Sequence, residues 1–181
     1  MTTQLKSYNG ITPTLASGVF VEGSAVLYGD ITLGEDSSIW PLVVARGDVN
    51  AIRIGARTNI QDGAVLHVTR PSTVLPDGLP LVIGNDVTVG HKAMLHACVI
   101  GNRVLIGMGA ILLDGAEVAD DVIVGAGSLV PPGKQLESGY LYVGSPVKKI
   151  RALTPQELAF LPESAANYVR LKDQYLQNSE E

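Results

Sequence analysis

The amino-acid sequence predicts an all-β solenoid: short strands stacked in triangular coils, with an α-helix packed against the resulting prism. Three observations lead there. An aliphatic or small residue recurs every six positions through most of the 181 residues. Glycine is abundant, at 20 residues, and often follows the repeat residue directly. Aromatic residues make up only 5 %, so stacked small aliphatics must supply the core. A period of six fits neither a helix nor a two-faced strand. It suits a short strand followed by a tight corner, three such sides closing one coil of 18 residues in which each coil covers the apolar face of the next.

The beat begins at Val21 and runs through Leu27, Leu33, Ile39 and Ala45. It slips by three residues, then returns at Ile54, Ile60 and Leu66. After an insertion it continues through Ile83, Val89 and Leu95, loses one residue, and resumes at Ile100, Ile106, Leu112, Val118, Val124 and Val130. The glycines after the repeat residue, among them Gly34, Gly55, Gly84 and Gly107, are expected to supply backbone conformations that other residues resist. Thr69 to Pro80 carries three prolines and a glycine and reads as a loop bulging from one corner. The β-helix domain is therefore assigned to residues 1–153 and a C-terminal helical segment to 154–181. Thr154-Pro155-Gln156-Glu157 is a capping box with proline at the first helical position. Pro162 is expected to break that helix. A second helix is expected over Glu163–Gln177, its apolar side formed by Ala166, Tyr168, Val169, Leu171, Tyr175 and Leu176.

Composition excludes several classes of function. The net charge of −5, without a run of Lys or Arg, disfavours nucleic acid and anionic membranes as partners. No apolar segment approaches the ~20 residues of a membrane span, and the first ten residues lack a secretory pattern. A single cysteine, Cys98, makes an internal disulfide impossible and points to the reducing cytoplasm.

The three histidines, His67, His91 and His96, all lie within one stretch of this scaffold. His67 and His96 each follow a repeat residue and stand 29 positions apart, one coil plus about the length of the insertion. They are expected to stack on one face, with the insertion bulging away. His91, two residues after Val89, faces another direction near a corner and can join them only across a contact between prisms. A closed ring of three satisfies such a head-to-tail contact. Three imidazoles with an open fourth position are what a catalytic zinc ion requires, and iron(II) or cobalt(II) would also accept that set. Cys98 is either a fourth donor or a buried thiol.

At these residues the chain resembles the gamma-class carbonic anhydrase family, within the left-handed β-helix (hexapeptide-repeat) proteins. The resemblance spans about residues 10–177 and rests on Arg46-Gly-Asp48, Asn59-Ile-Gln61-Asp62, Leu66-His67, Gly90-His91, Leu95-His96, Ile106-Gly-Met-Gly109 and Gly144-Ser-Pro146. It implies a homotrimer that hydrates carbon dioxide to bicarbonate by metal-bound hydroxide. Each interfacial site would take His67 and His96 from one subunit and His91 from its neighbour. It also implies that Arg46 pairs with Asp62 across the interface, accompanied by Asp48. Gln61 would orient the reacting oxygen, and Tyr168 on the terminal helix either reaches the site or packs on the prism. The best-studied type of the family carries proton-relaying carboxylates where this chain has Val49 and Arg70. In that respect the chain is similar to the shorter bacterial members. The competing readings are a metal-dependent hydrolase such as a thioesterase, a metal-free hexapeptide acyltransferase, and a non-catalytic trimeric assembly protein.

Overall fold

Each apolar repeat residue needs a partner above and below it, and the chain supplies one by winding. The computed structural model, described here over residues 5–178, is a left-handed parallel β-helix with three faces and one C-terminal helix. Every repeat residue points into the prism. Leu27, Leu33, Ile39, Ala45, Ile60, Val89, Leu95, Ile106, Leu112 and Val124 have no exposed surface. Burying one Val, Leu or Ile side chain stabilises by roughly 1.5–3 kcal/mol, so a ladder of identical contacts takes the place of an aromatic core.

One face stacks Val26–Tyr28, Val44–Arg46, Val65–His67, Met94–His96, Ile111–Leu112 and Leu129–Val130. A second stacks Ile31–Leu33, Ile52–Ile54, Leu81–Ile83, Val99–Ile100, Glu117–Val118 and Gln135–Leu136. The third carries Phe20–Val21, Ser38–Ile39, Asn59–Ile60, Thr88–Val89, Leu105–Ile106 and Ile123–Val124. It ends in an antiparallel pair, Tyr140–Gly144 with Val147–Ala152, at the last coil.

The two irregularities in the beat have separate structural meanings. Gly29 pairs with Gly47 but Ile31 pairs with Ile52, so the slip after Ala45 is a bulge that takes Asp48, Val49 and Asn50 out of the strand pairing. The insertion leaves the coil through an antiparallel bridge between Thr69 and Leu79, and the next coil then resumes in register.

The glycine expectation needs correction. Gly34, Gly55, Gly84 and Gly107 do not adopt positive φ. The left-handed positions lie elsewhere at the corners and include non-glycine residues: Asp36, Arg57, Asp86, Arg103 and Asp121 at one corner, Leu42 and Lys92 at another. What Gly55 supplies is space. A Cβ there would stand 2.5 Å from the carbonyl oxygen of Gly84 in the next coil. Backbones pack directly on backbones at these corners, and glycine is the residue that permits it.

The C-terminal segment also departs from expectation. A single helix, Pro155–Asn178, runs through Pro162. Thr154 caps it: its hydroxyl accepts from the Glu157 N–H at 3.2 Å while the Glu157 carboxylate accepts from the Thr154 N–H at 2.8 Å. Leu161, Ser164 and Ala165, around and just beyond the proline, are buried against the prism, so tertiary contact holds the helix together where one backbone hydrogen bond is lost. Its docked side includes Tyr168 and Lys172 and leaves Leu171 and Leu176 partly exposed. Tyr168 and Tyr175 both meet Trp40 edge-on, with ring centroids 5.4 and 5.3 Å away. Lys172 is only 1 % exposed because Asp36, at 2.9 Å, and Asp173, at 2.5 Å, neutralise it. The outer ends of the two assigned ranges, residues 1–4 and 179–181, lie outside the described residues. No helix among the described residues is long and apolar enough to cross a membrane.

Candidate functional site

Strand register places His96 directly over His67 on the first face. Their rings are 5.1 Å apart between centroids, and His67 Nδ1 lies 3.1 Å from His96 Nε2. The outer nitrogen of each ring meets a carboxylate. His67 Nε2 is 3.2 Å from Asp48 Oδ1, and His96 Nδ1 is 2.6 Å from Asp114 Oδ1.

The tautomers follow from charge. For Asp48, burial opposes ionisation, but the hydrogen bond from His67 and the Arg46 charge outweigh it and hold the carboxyl below its ordinary range. Burial likewise opposes ionisation of Asp114, while hydrogen bonds from Thr69 and His96 keep it low. An ionised carboxylate can only accept, so His67 donates through Nε2–H and His96 through Nδ1–H. Burial, reinforced by the Arg46 charge, also depresses the His67 pKa and favours the neutral ring. With both rings neutral, two nitrogen lone pairs would face each other across 3.1 Å. Such a pair calls for an electrophile. Two nitrogens bound to one tetrahedral zinc ion at 2.0–2.1 Å would be about 3.3 Å apart, close to the observed separation. Carboxylates behind metal-bound imidazoles are the usual outer support of such a site. The residues present therefore fit a metal ion.

His91 is elsewhere. It occupies the corner between the third and first faces, where its Nδ1 lies 2.9 Å from Asp62 Oδ2 and its side chain is 40 % exposed. Among the described residues of one chain, no three His, Cys, Asp or Glu side chains are grouped to hold a metal. A single chain brings two of the three histidines together and presents the third outward at an edge.

The remaining candidates divide between these places. Arg46 forms its ion pair with Asp48 within the chain, and Asp62 is engaged by His91. Gln61 is 5 % exposed and donates through Nε2 to Asn59 Oδ1 at 3.1 Å. Tyr168 shares a shallow hollow of about 220 Å³ with Gln61, His91 and Phe160. Burial, and then the Asp62 charge, push the Tyr168 phenol up. Val49 packs against the core and Arg70 is exposed. Cys98 is fully buried within the aliphatic core, which raises its thiol to about 12 and removes it from any ligand set.

Sequence reasoning missed Asp114 and Thr69. The signal was present: Asp114 follows His96 by 18 residues, the length of one coil. Adding one coil to each histidine would have pointed to it.

Comparisons with known proteins agree with this architecture. Residues 97–132 match the family described as "Bacterial transferase hexapeptide (six repeats)". The chain is 60 % identical over 176 residues to "Protein YrdA" of Escherichia coli (strain K12), covering 97 % of this chain and 96 % of that protein. It is 42 % identical over 168 residues to "Carbonic anhydrase" of Geobacillus kaustophilus (strain HTA426), covering 93 % and 88 %. Identity is 43 % over 159 residues to "Gamma carbonic anhydrase 2, mitochondrial" of Arabidopsis thaliana, covering 88 % of this chain and 57 % of that one. A solved structure titled "putative acetyltransferase" from Bacillus cereus superposes with a TM-score of 0.90 at 39 % identity, covering 97 % of this chain and 98 % of that chain.

Proposed function

The chain belongs to the gamma-class carbonic anhydrase family of hexapeptide-repeat proteins, and from that premise we propose that it hydrates carbon dioxide reversibly to bicarbonate at a metal site shared between subunits of a homotrimer. The observation that carries this reading is the pair of imidazole nitrogens converging at 3.1 Å, each ring backed by a carboxylate. His67 Nδ1 and His96 Nε2 from one subunit and His91 from its neighbour would hold the ion, zinc being our choice over iron or cobalt. A zinc ion held there would supply Lewis acidity, making a water-derived nucleophile accessible at neutral pH.

The chain's own groups have separate tasks. Asp48 and Asp114 hold the proton of each neutral ring on its outer nitrogen, which leaves the inner nitrogen as the one that would bind a metal. Gln61 is anchored through its amide N–H to Asn59, which fixes the amide and leaves Oε1 to accept a hydrogen bond from the reacting oxygen. Tyr168 helps enclose the hollow beside His91. Assembly is favoured by the surface around the histidines: Leu42, Val44, Met94, Met108 and Ile111 are exposed there and would be covered by a second copy. A closed ring of three would satisfy such a contact on every copy. In the trimer His91 would exchange Asp62 for the metal, freeing that carboxylate for Arg46 of a neighbour. The lone buried thiol suits a reducing compartment, and we place the protein in the cytoplasm.

A second reading has one observation in its favour. The His67–Asp48 pair is also what a general base would use in a metal-free acyl transfer, and a related structure bears an acetyltransferase title. That scheme leaves His96 and Asp114 without a task. Stopped-flow carbon dioxide hydration by the zinc-loaded protein decides between them. We expect turnover that collapses in His91→Ala; activity unchanged in that variant, or absent from a protein carrying zinc, would sink the proposal.

A further inference from the structure

The insertion between the two stacked histidines supplies no ligand, yet its base touches the site. Thr69 and Leu79 exchange backbone hydrogen bonds at 2.9 and 3.0 Å and close the excursion at its neck. Asn50, carried there by the bulge, donates through Nδ2 to the carbonyls of Thr69 at 3.2 Å and Asp77 at 2.9 Å. With its backbone tied on both sides, Thr69 holds its hydroxyl in one place, and that hydroxyl donates to Asp114 Oδ2. The other oxygen, Asp114 Oδ1, accepts from His96 Nδ1 at 2.6 Å. Meanwhile the tip of the excursion points away: Val74 is 91 % exposed.

We propose that Thr69 and Asp114 are positioning residues for His96, holding it as the Nδ1–H tautomer with Nε2 directed at His67 Nδ1, and that the 69–80 excursion serves as a brace for the metal site. This inference rests on the metal reading above and extends it to a role for the insertion. Direction of donation is set by chemistry. A carboxylate cannot donate, so the single threonine proton must go to Asp114 and the ring proton must sit on Nδ1. A carboxylate held at only one oxygen can swivel about its Cβ–Cγ bond; held at both, it fixes the plane in which the imidazole lies. The two ligands are thus positioned from different coils: Asp48, paired with Arg46, serves His67 from below, while Asp114, pinned by Thr69, serves His96 from above.

The test uses the full chain as wild type, Asp114→Asn, Thr69→Val and Thr69→Ser. Two readouts are needed: zinc affinity by competition with a chromophoric chelator, and the His96 tautomer by nitrogen-15 NMR of metal-free protein. Wild type is expected to show the Nδ1–H form. Asp114→Asn is expected to lose about 10- to 100-fold in zinc affinity and to mix the tautomers, as removal of an outer partner does. Thr69→Val should move both readouts in the same direction by a smaller factor, and Thr69→Ser should restore them. Should Asp114→Asn fail to fold, the contrast between Thr69→Val and Thr69→Ser decides. Unchanged affinity and an unchanged His96 spectrum in the folded variants would overturn the inference. Wild-type protein without zinc affinity would overturn it together with the metal reading. Affinity that falls in Asp114→Asn supports it even where wild type turns over no carbon dioxide, an outcome that would sink the carbonic anhydrase reading alone.

Discussion

His67 carries two opposing demands. A metal ligand must be a neutral imidazole, while the nearby carboxylate Asp48 favours the cation. Burial and the Arg46 guanidinium settle the balance by depressing its pKa below the ordinary 6.5. The consequence for stability has a definite sign. Below 6.5 the unfolded chain binds a proton at this histidine that the folded chain resists. Metal-free protein should therefore lose stability as pH falls from 6.5 towards the lower folded value, and hold that contribution above 6.5. Urea titrations at a series of pH values, with His67→Gln alongside, measure it: the variant should show a flatter slope in this window. An equal slope in both proteins would mean that another group is responsible. The lowered carboxyls Asp48 and Asp114 add stability at higher pH that is lost only further into acid, as each falls through its depressed folded value.

At the scale of the coil, stability depends on how closely one turn can rest on the next. Gly55 illustrates the constraint. Its φ is ordinary, so alanine would be tolerated conformationally, but the added methyl would meet the Gly84 carbonyl oxygen at 2.5 Å and backbone cannot give way as a side chain can. Gly55→Ala is expected to destabilise by roughly 1–3 kcal/mol, the usual cost of overpacking. Equilibrium denaturation checks it; a neutral result would mean that adjacent coils separate more freely than stacking allows. The terminal helix teaches a related lesson. Its capping box at Thr154 and Glu157 was legible because hydroxyl and carboxylate spacing acts locally. Its passage through Pro162 was not, since that depends on Leu161, Ser164 and Ala165 finding a surface far away in sequence. The same holds for buried Lys172, which the apolar pattern could not anticipate because Asp36 reaches it from an early coil.

For the whole molecule, the division of the three histidines between a face and an outward corner makes a distinctive prediction. Two inactive variants can repair each other when a site is built from two subunits. His91→Ala and His67→Ala are each expected to abolish carbon dioxide hydration. Co-folded as mixed trimers, they should regain a fraction of wild-type sites, those where an intact face meets an intact corner. Activity of the mixture, measured after joint refolding and compared with the separately folded proteins, tests the shared site. A mixture no more active than its parts would restrict each site to a single chain. Sedimentation of the wild type should give the mass of three chains, since the exposed Leu42, Met94 and Met108 surround the histidines.

What the sequence by itself determined was the prism and its phase. A six-residue beat assigns each residue to a face or a corner by counting, so the stacking of His67 and His96 could be read from an interval. Family motifs then named the partners expected around them. Only the tertiary structure decided where the irregular residues go. The bulge brings Asp48 to His67, the neck of the insertion brings Thr69 to Asp114, and the docking of the helix brings Lys172 to Asp36. These contacts join segments that leave the repeat, and a periodic pattern carries no information about what departs from it. Their positions are set instead by hydrogen-bond geometry and packing, which exist only once the coils have closed.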